Sequence, residues 1–388
     1  MSFRRLTSML ASITAVLCAC PARAELTWNF PAPATPLALD TLQVHNKFMV
    51  ITMAIFVAVF AVMIYSIVTH RKSRDFKASR FTGPSTAVQI FWTAVPFLIL
   101  IFIDFILMGI PAYHSVLVMQ DTRGDADMVV KITASQWKWQ YEYPSEGIRF
   151  VSALATPQAQ IDNREAKGEH YLLEVDNPLV LPVGKKVRFL LTSTDVIHTW
   201  WVPQFGTKRD AIPGFIRETW ARIERPGIYR GQCAELCGKG HGFMPVVVQA
   251  VSEAEYRQWL VRKKAAQAAV AVGAAQVWSR DELMKHGRKI YETLCVVCHQ
   301  ADGRGIPNVF PALAGSKVVN GPFLDGKGRL VKDGHLDRVM NGKPNTAMQA
   351  FKDTLNDSDI AAVVTFERNA FGNKMDDQVQ PAQVKVLR

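Results

Sequence analysis

The sequence predicts a multi-domain chain in three parts: a two-helix transmembrane hairpin, an all-β sandwich or barrel, and a C-terminal all-α domain. Three observations predict it. Two long apolar runs near the N-terminus are joined by a basic loop, the middle of the chain is built from short Val-, Ile-, Phe-, Trp- and Tyr-rich runs between turn signals, and the last part shows helical spacing around a Gly- and Pro-rich centre. At 388 residues, with 49% hydrophobic and 20% charged residues, the chain has room for two or three domains and a membrane portion.

Residues 1–24, MSFRRLTSMLASITAVLCACPARA, combine Arg4-Arg5, a short apolar run and a small-x-small ending at Ala22-Arg23-Ala24. This is a secretory signal pattern, with cleavage expected after Ala24. Leu17-Cys18-Ala19-Cys20 also resembles a loose lipoprotein box in which Cys20 would be lipidated, but the Ala-x-Ala site is the cleaner signal. Residues 25–120 hold an N-terminal segment and the membrane anchor, with spans at about 47–69 and 88–111. The first run carries no formal charge from Phe48 to Thr69 and is long enough for a hydrocarbon core of about 30 Å; the second is interrupted only by Asp104. Between them Arg71, Lys72, Arg74, Lys77 and Arg80 stand against a single Asp75. The positive-inside rule places that loop in the cytoplasm, and the N-terminus and everything past residue 112 outside.

Residues 121–262 contain MVVKITASQWKWQYEYP, HYLLEVDNPLVLPVGKKVRFLLTSTD, ETWARIERPGIYRGQ and FMPVVVQAVS, with Pro-Val-Gly and Arg-Pro-Gly at the corners, and residues 252–264 read as a closing helix. The uncharged alanine-rich tract within 263–280 reads as a flexible linker. Residues 281–388 form the helical domain with a polar tail: Leu283, Ile290 and Leu294 recur at roughly helical spacing, and LNDSDIAAVVTFERNAFG opens on an Asn or Asp cap.

The formal charge of +11 sums 45 basic and 34 acidic residues. Part of it is the cytoplasmic loop, and Lys185, Lys186, Arg222 and Arg225 read as solvated surface. An exported domain does not meet nucleic acid whatever its charge; an acidic donor protein fits.

Signal cleavage would remove Cys18 and Cys20 and leave Cys233, Cys237, Cys295 and Cys298. Two structural disulfides are one reading for an exported domain. The spacing favours another. Cys295-Val296-Val297-Cys298-His299 is the pattern of covalent haem attachment in c-type cytochromes, where both thiols add to porphyrin vinyl groups and the imidazole is the proximal iron ligand. Met348 in MNGKPNTAMQAF is the favoured second axial ligand, with Met340 and His335 as runners-up. A thioether opposite imidazole raises the potential and suits electron transfer.

In GQCAELCGKGHGFMP, Cys233, Cys237, His241 and Met244 follow at steps of four, four and three. Soft thiolates with imidazole and thioether select copper, and two thiolates can bridge two copper ions. A second imidazole must come from elsewhere. His45, His170, His286 and His335 sit in plain polar contexts, so His198 in STDVIHTWWVP is the natural candidate.

STDVIHTWWVPQFGTKRDAIPG followed by RPGIYRGQCAELCGKGHGFMP resembles subunit II of the haem-copper cytochrome c oxidases, with its dinuclear mixed-valence copper centre, CuA. The likeness extends to Phe91-Trp92-Thr93-Ala94-Val95-Pro96 in the anchor and to the run from Gln136 to Tyr143, and the fused haem domain makes it similar to bacterial caa-type oxidases. The resemblance implies a cupredoxin-like sandwich. It further implies His198 and His241 as imidazole ligands, Cys233 and Cys237 as bridges, Met244 as the weak axial ligand, and Glu235 giving its carbonyl to copper and its carboxylate to a magnesium ion shared with subunit I. Trp137 matches the aromatic residue where electrons enter from cytochrome c. Four positions stand out: Gln89 where many relatives have a glutamate at a proton-pathway mouth, Ser135 in place of a histidine, Gln349 where proline is usual after the haem ligand, and Asp104 inside a span.

What the resemblance implies is a proton-translocating cytochrome-c oxidase in which this subunit passes electrons from an external donor through its haem and CuA to subunit I, with subunit III a further partner. The alternative is a membrane-tethered electron carrier or copper-handling protein with no oxidase partner. A tether needs only one helix of any apolar composition, whereas two helices bearing Gln89, Asp104 and Pro96 imply packing against other subunits. Quinol oxidase subunits lack such copper ligands, and nitrous oxide reduction uses a similar copper loop without this anchor or haem.

Overall fold

The computed structural model describes residues 28–71, 83, 85–107, 109–273, 276–344 and 346–388. The expected signal sequence, Cys20 and most of the basic loop lie outside them.

Helix α1 spans Pro36–Thr69 and α2 spans Thr86–Ile101. The winding then loosens into a π-helical stretch, Phe102–Leu107, that contains Asp104, and α3 follows over Gly109–Gln120. Two segments, Pro36–Thr69 and Thr86–Phe105, are long and apolar enough to cross a membrane. Phe56, Phe60, Ile64, Trp92, Phe97 and Leu98 are exposed along them; such a surface is stable only in lipid or against another apolar helix. The first helix starts eleven residues before the expected span. At 1.5 Å per residue its 34 residues reach about 50 Å, beyond a hydrocarbon core of about 30 Å. The surplus turns belong to the next domain: the Thr35 hydroxyl caps α1 by accepting from the Ala38 amide and donates to the Phe205 carbonyl at 2.7 Å, and Leu37 and Ala38 are buried. At the far end of the anchor the Trp220 indole donates to the Val118 carbonyl at 3.0 Å.

The sandwich begins with β1 (Met128–Ser135), β2 (Lys138–Tyr143) and β3 (Ile148–Ser152). A single turn, α4 (Gln158–Ile161), precedes β4 (Leu179–Pro182), β5 (Lys186–Ser193), β6 (His198–Val202), β7 (Thr207–Ala211), β8 (Arg217–Arg222), β9 (Gly227–Cys233) and β10 (Pro245–Val251). They make two five-stranded sheets, β3-β2-β1-β5-β8 and β4-β10-β9-β6-β7. Pairing is antiparallel except β1 with β5 and β4 with β10. Period-two alternation sends Val130, Ile132 and Ala134 of β1 and Val187, Phe189 and Leu191 of β5 into one core with Trp139, Tyr141 and Trp200. This is the expected cupredoxin-like architecture.

Helix α5 runs over Glu253–Gly273, so the alanine-rich tract expected as a flexible linker is helical as far as Gly273. Alanine has the highest intrinsic helix propensity, and the helix is braced on the sandwich by Lys264 with Glu146 at 2.8 Å and Lys263 Nζ with Asn177 Oδ1 at 3.1 Å.

The C-terminal domain holds α6 (Arg280–Ile290), a π-helical turn at Tyr291–Cys295, α7 (Val296–His299), α8 (His335–Asn341), α9 (Asp357–Asn369) and α10 (Pro381–Leu387). Reciprocal capping boxes start α6 (Ser279 with Glu282) and α9 (Asn356 with Asp359). These two helices cross at Gly287, where a Cβ would lie 2.1 Å from the Ala362 carbonyl oxygen. Only glycine permits that approach. His335, expected in a plain polar context, is instead buried, its Nε2 2.6 Å from the buried Glu367 carboxylate; α8 turns it inward with Leu336, Val339 and Met340. Arg368 is also buried, bonded to Asp377 and to the carbonyls of Val319 and Gly321, and so ties the long middle loop to α9.

Candidate metal centres

β6 opens at His198 and pairs with β9 so that Trp200 faces Cys233, and the Ala234 amide donates to the Thr199 carbonyl at 3.0 Å. That register carries the end of β9 to the start of β6 and sets a histidine beside a cysteine 35 positions further along the chain. The following loop folds back through His241–Phe243 into β10. As a result the ligand atoms of His198, Cys233 and Cys237 lie within 4.8 Å of one another.

The two sulfurs are 3.8 Å apart and unpaired, far beyond the roughly 2.05 Å of a disulfide. Cys237 Sγ is 3.6 Å from His241 Nδ1 and 3.6 Å from Met244 Sδ, while Cys233 Sγ is 3.4 Å from the Glu235 carbonyl oxygen. Glu235 itself is exposed. His198 is wholly buried: Nε2 lies 2.9 Å from Asp195 Oδ1 and Nδ1 has no hydrogen-bond partner. A carboxylate can only accept, so Nε2 carries the proton and Nδ1 keeps a lone pair, the second-shell arrangement that orients a metal-binding imidazole. Burial opposes a charge on His198, but Asp195 and Cys233 outweigh it and hold the imidazole above its ordinary value. The hydrogen bond from Cys237 pushes Cys233 down to about 3 against the effect of burial. Cys237 is raised, first by its place in that same hydrogen bond and then by burial. An orphaned imidazole nitrogen, two sulfurs close together without a disulfide and a thioether in an apolar pocket fit copper.

Trp137 leans on this loop. Its Nε1 donates to the Cys237 carbonyl at 3.2 Å, and Gln136 Nε2 donates to the same oxygen at 2.8 Å. A Cβ at Gly240 would fall 2.3 Å from the indole Cδ2, so the absence of a side chain there makes room for the ring.

In the C-terminal domain Cys295 and Cys298 are unpaired and half-buried, and His299 is buried. Burial pushes Cys295 well above the ordinary thiol value and Cys298 up to about 11, so both stay neutral thiols. His299 Nδ1 donates to the Pro311 carbonyl at 2.9 Å, which leaves the lone pair on Nε2. Neutral thiols one helical turn apart, next to an imidazole of set tautomer, fit covalent haem c. Met348 is half-buried against the core of this domain and Met340 lies inside it; His335 is engaged by Glu367.

Sequence reasoning missed Asp195, which the Asp-x-x-His spacing signals, and Lys138, a lone lysine between two tryptophans on a strand that alternates inward.

Residues 23–110 match the family of cytochrome C oxidase subunit II transmembrane domains, 128–251 the family of its periplasmic domains, and 282–366 the family described as cytochrome C oxidase, cbb3-type, subunit III. Cytochrome c oxidase subunit 2 of Cereibacter sphaeroides is 38% identical over 245 residues, 60% of this chain and 78% of that protein. The probable cytochrome c oxidase subunit 2 of Rickettsia bellii is 33% identical over 247 residues, 63% of this chain and 87% of that protein. The crystal structure of the periplasmic domain of subunit II of cytochrome oxidase from Bradyrhizobium japonicum is 41% identical, covering 36% of this chain and 94% of that one, with a TM-score of 0.33. With both subunit II domains and the cytochrome domain in order along one polypeptide, the chain belongs to the cytochrome c oxidase subunit 2 family and carries a C-terminal cytochrome c domain.

Proposed function

We propose that this chain is the electron-accepting subunit of a haem-copper terminal oxidase in a bacterial inner membrane, with its sandwich and haem domain on the periplasmic side. Electrons from an external donor such as cytochrome c pass through the fused haem c and a dinuclear copper centre to subunit I, where oxygen is reduced to water with proton translocation; subunit III completes the set of partners. The observation that carries this reading is the convergence of His198, Cys233 and Cys237 within 4.8 Å, with His241 and Met244 alongside.

When bound, the copper pair and the haem supply one-electron acceptance and release. The residues do the rest. Cys233, Cys237, His198 and His241 would hold the copper, with Met244 and the Glu235 carbonyl as weaker donors. Strand pairing on one side and a short loop on the other hold these side chains in place. Asp195 holds His198 in its metal-binding tautomer. Trp137, bonded to the Cys237 carbonyl, is where electrons enter. The exposed Glu235 carboxylate offers a ligand to a magnesium ion shared with subunit I. Cys295 and Cys298 would attach the haem, and His299 and Met348 would hold its iron. The division into a signal segment (1–24), anchor (25–120), copper domain (121–262), connecting segment (263–280) and haem domain (281–388) belongs to the same proposal, as do Gln89 and Asp104 as residues that pack on subunit I.

Purification from membranes followed by optical and paramagnetic resonance spectra tests it. The expected result is an oxygen-consuming complex with a low-spin c-type haem band and the multi-line signal of one unpaired electron shared by two copper nuclei. A lone polypeptide with the haem band, no copper and Cys233 joined to Cys237 would overturn it in favour of a tethered carrier.

A further inference from the structure

The face of the copper domain that carries Trp137 is covered, and what covers it is the haem-binding end of the same chain. Val297, Cys298 and Phe310 of the C-terminal domain pack against the core of the sandwich. The Phe310 ring meets Trp137 edge-on, centroids 6.2 Å apart at 78°. Gln349 Nε2 donates to the Gln136 carbonyl at 2.7 Å. Lys138 Nζ sits 4.7 Å above the Phe351 ring, and burial lowers its ammonium to about 8. Lys138 is only 4% exposed and Trp137 only 7%. A lysine at the start of a strand is rarely that deep unless something closes over it.

We propose that Lys138 and Gln349 are positioning residues that dock the haem domain onto the Trp137 face in one register, so that a soluble donor reaches the copper only by way of the fused haem. Each does a separable part of the work. Gln349 supplies a directional bond from the segment immediately after Met348 to the backbone immediately before Trp137, which ties the haem side and the copper side of the junction together. It stands where the sequence departs from the usual proline, and proline has no side-chain donor to make this bond. Lys138 supplies a cation whose apolar stem fills the seam and whose head meets an aromatic face. The helical α5, strapped to the sandwich by Lys263 and Lys264, limits how far the haem domain can swing away. Among these contacts the two polar ones fix register, since the apolar packing of Val297 and Phe310 is non-directional.

The inference rests on Trp137 as the residue where electrons enter, and the experiment separates the two. Purified oxidase is treated with a brief pulse of an amine-acylating reagent, and labelling of Lys138 is read by mass spectrometry against the exposed Lys208 of the same chain. Intramolecular haem oxidation is timed after rapid reduction, with the haem band and the copper paramagnetic signal recorded as controls. In the native complex Lys138 labels far more slowly than Lys208. In Gln349→Ala its labelling rises about fivefold, the consequence of losing one buried hydrogen bond. Haem oxidation slows in step, with both spectra unchanged, and a soluble donor begins to reduce copper directly. Lys138→Arg, which keeps a cation over Phe351, retains the native transfer rate, whereas Lys138→Met slows it. Equal labelling of Lys138 and Lys208 in the native oxidase, or transfer rates indifferent to both substitutions, overturns the docking proposal while the copper signal stands. Loss of the copper signal in the native protein with Lys138 still protected overturns the copper reading and leaves the docking intact.

Discussion

The two cysteine pairs of this chain sit in different surroundings. Cys233 and Cys237 lie 3.8 Å apart beside His198, and one of them ionises far below the ordinary thiol value because its neighbours stabilise the charge. Cys295 and Cys298 sit where burial keeps them neutral. The first pair therefore holds one thiolate beside a metal-binding imidazole, whereas in the second neither sulfur is ionised. The sites differ also in how they are assembled. The haem set Cys295, Cys298 and His299 is contiguous in sequence, whereas the copper set needs β6 laid against β9. The haem motif is therefore local, and the copper site is a property of the folded sandwich.

The sharpest test of that difference is removal of a bridge. Cys237→Ser should abolish copper binding and oxygen consumption, measured by metal analysis and polarography, with the c-type haem band unchanged. Cys298→Ala should loosen the haem and leave the copper signal in place. If either substitution removes both cofactors, the sites are not independent.

Next comes the orienting carboxylate. Asp195→Asn keeps the size of the side chain but removes the charge that holds His198 in one tautomer. Copper affinity should fall by roughly 10–100-fold in a competition titration, and haem content should not change.

On the haem side, Gly287→Ala forces a methyl group to within 2.1 Å of the Ala362 oxygen and pushes α6 from α9. A loss of about 1–3 kcal/mol is expected for such overpacking, read as an earlier melting of the haem band with the copper signal retained to its usual temperature.

The smallest effect is at the junction of anchor and sandwich. Glu218 accepts from Arg188 at 2.6 Å and from Thr122 at 2.7 Å. The Arg188 bond, then that of Thr122, holds its carboxyl down to about 2. A carboxyl depressed on folding contributes stability above its unfolded value, near 4.3, and loses it as pH falls through the range from 4 towards 2. The pair lies near the surface and is screened, so Glu218→Gln should cost at most about 1 kcal/mol at neutral pH and nothing near pH 2.

Much of this was readable in the chain. The two apolar spans, the alternating strands, the Cys-Val-Val-Cys-His run and the spacing of Cys233, Cys237, His241 and Met244 are each short-range patterns, legible because bond geometry fixes which residues share a turn or a strand face. His198 follows from the sequence by elimination; the register of β6 on β9 is what brings it to the copper loop. The alanine-rich tract misled because low complexity and absence of charge suggest a linker, while propensity and the bonds of Lys263 and Lys264 make it helix. His335 misled because polar neighbours in sequence say nothing of the face on which α8 turns it, towards Glu367.

The sequence by itself determined the kinds of site and their order: membrane anchor, sulfur-rich copper loop, haem motif. Only the tertiary structure decided several partners: Gly240 under Trp137, Glu367 beside His335, and Lys138 and Gln349 in the seam between the domains. The reason is one of range. A motif is set by covalent spacing over a few residues, while a partner tens to some 200 positions away is chosen by burial summed over whole faces, which no local window of sequence contains.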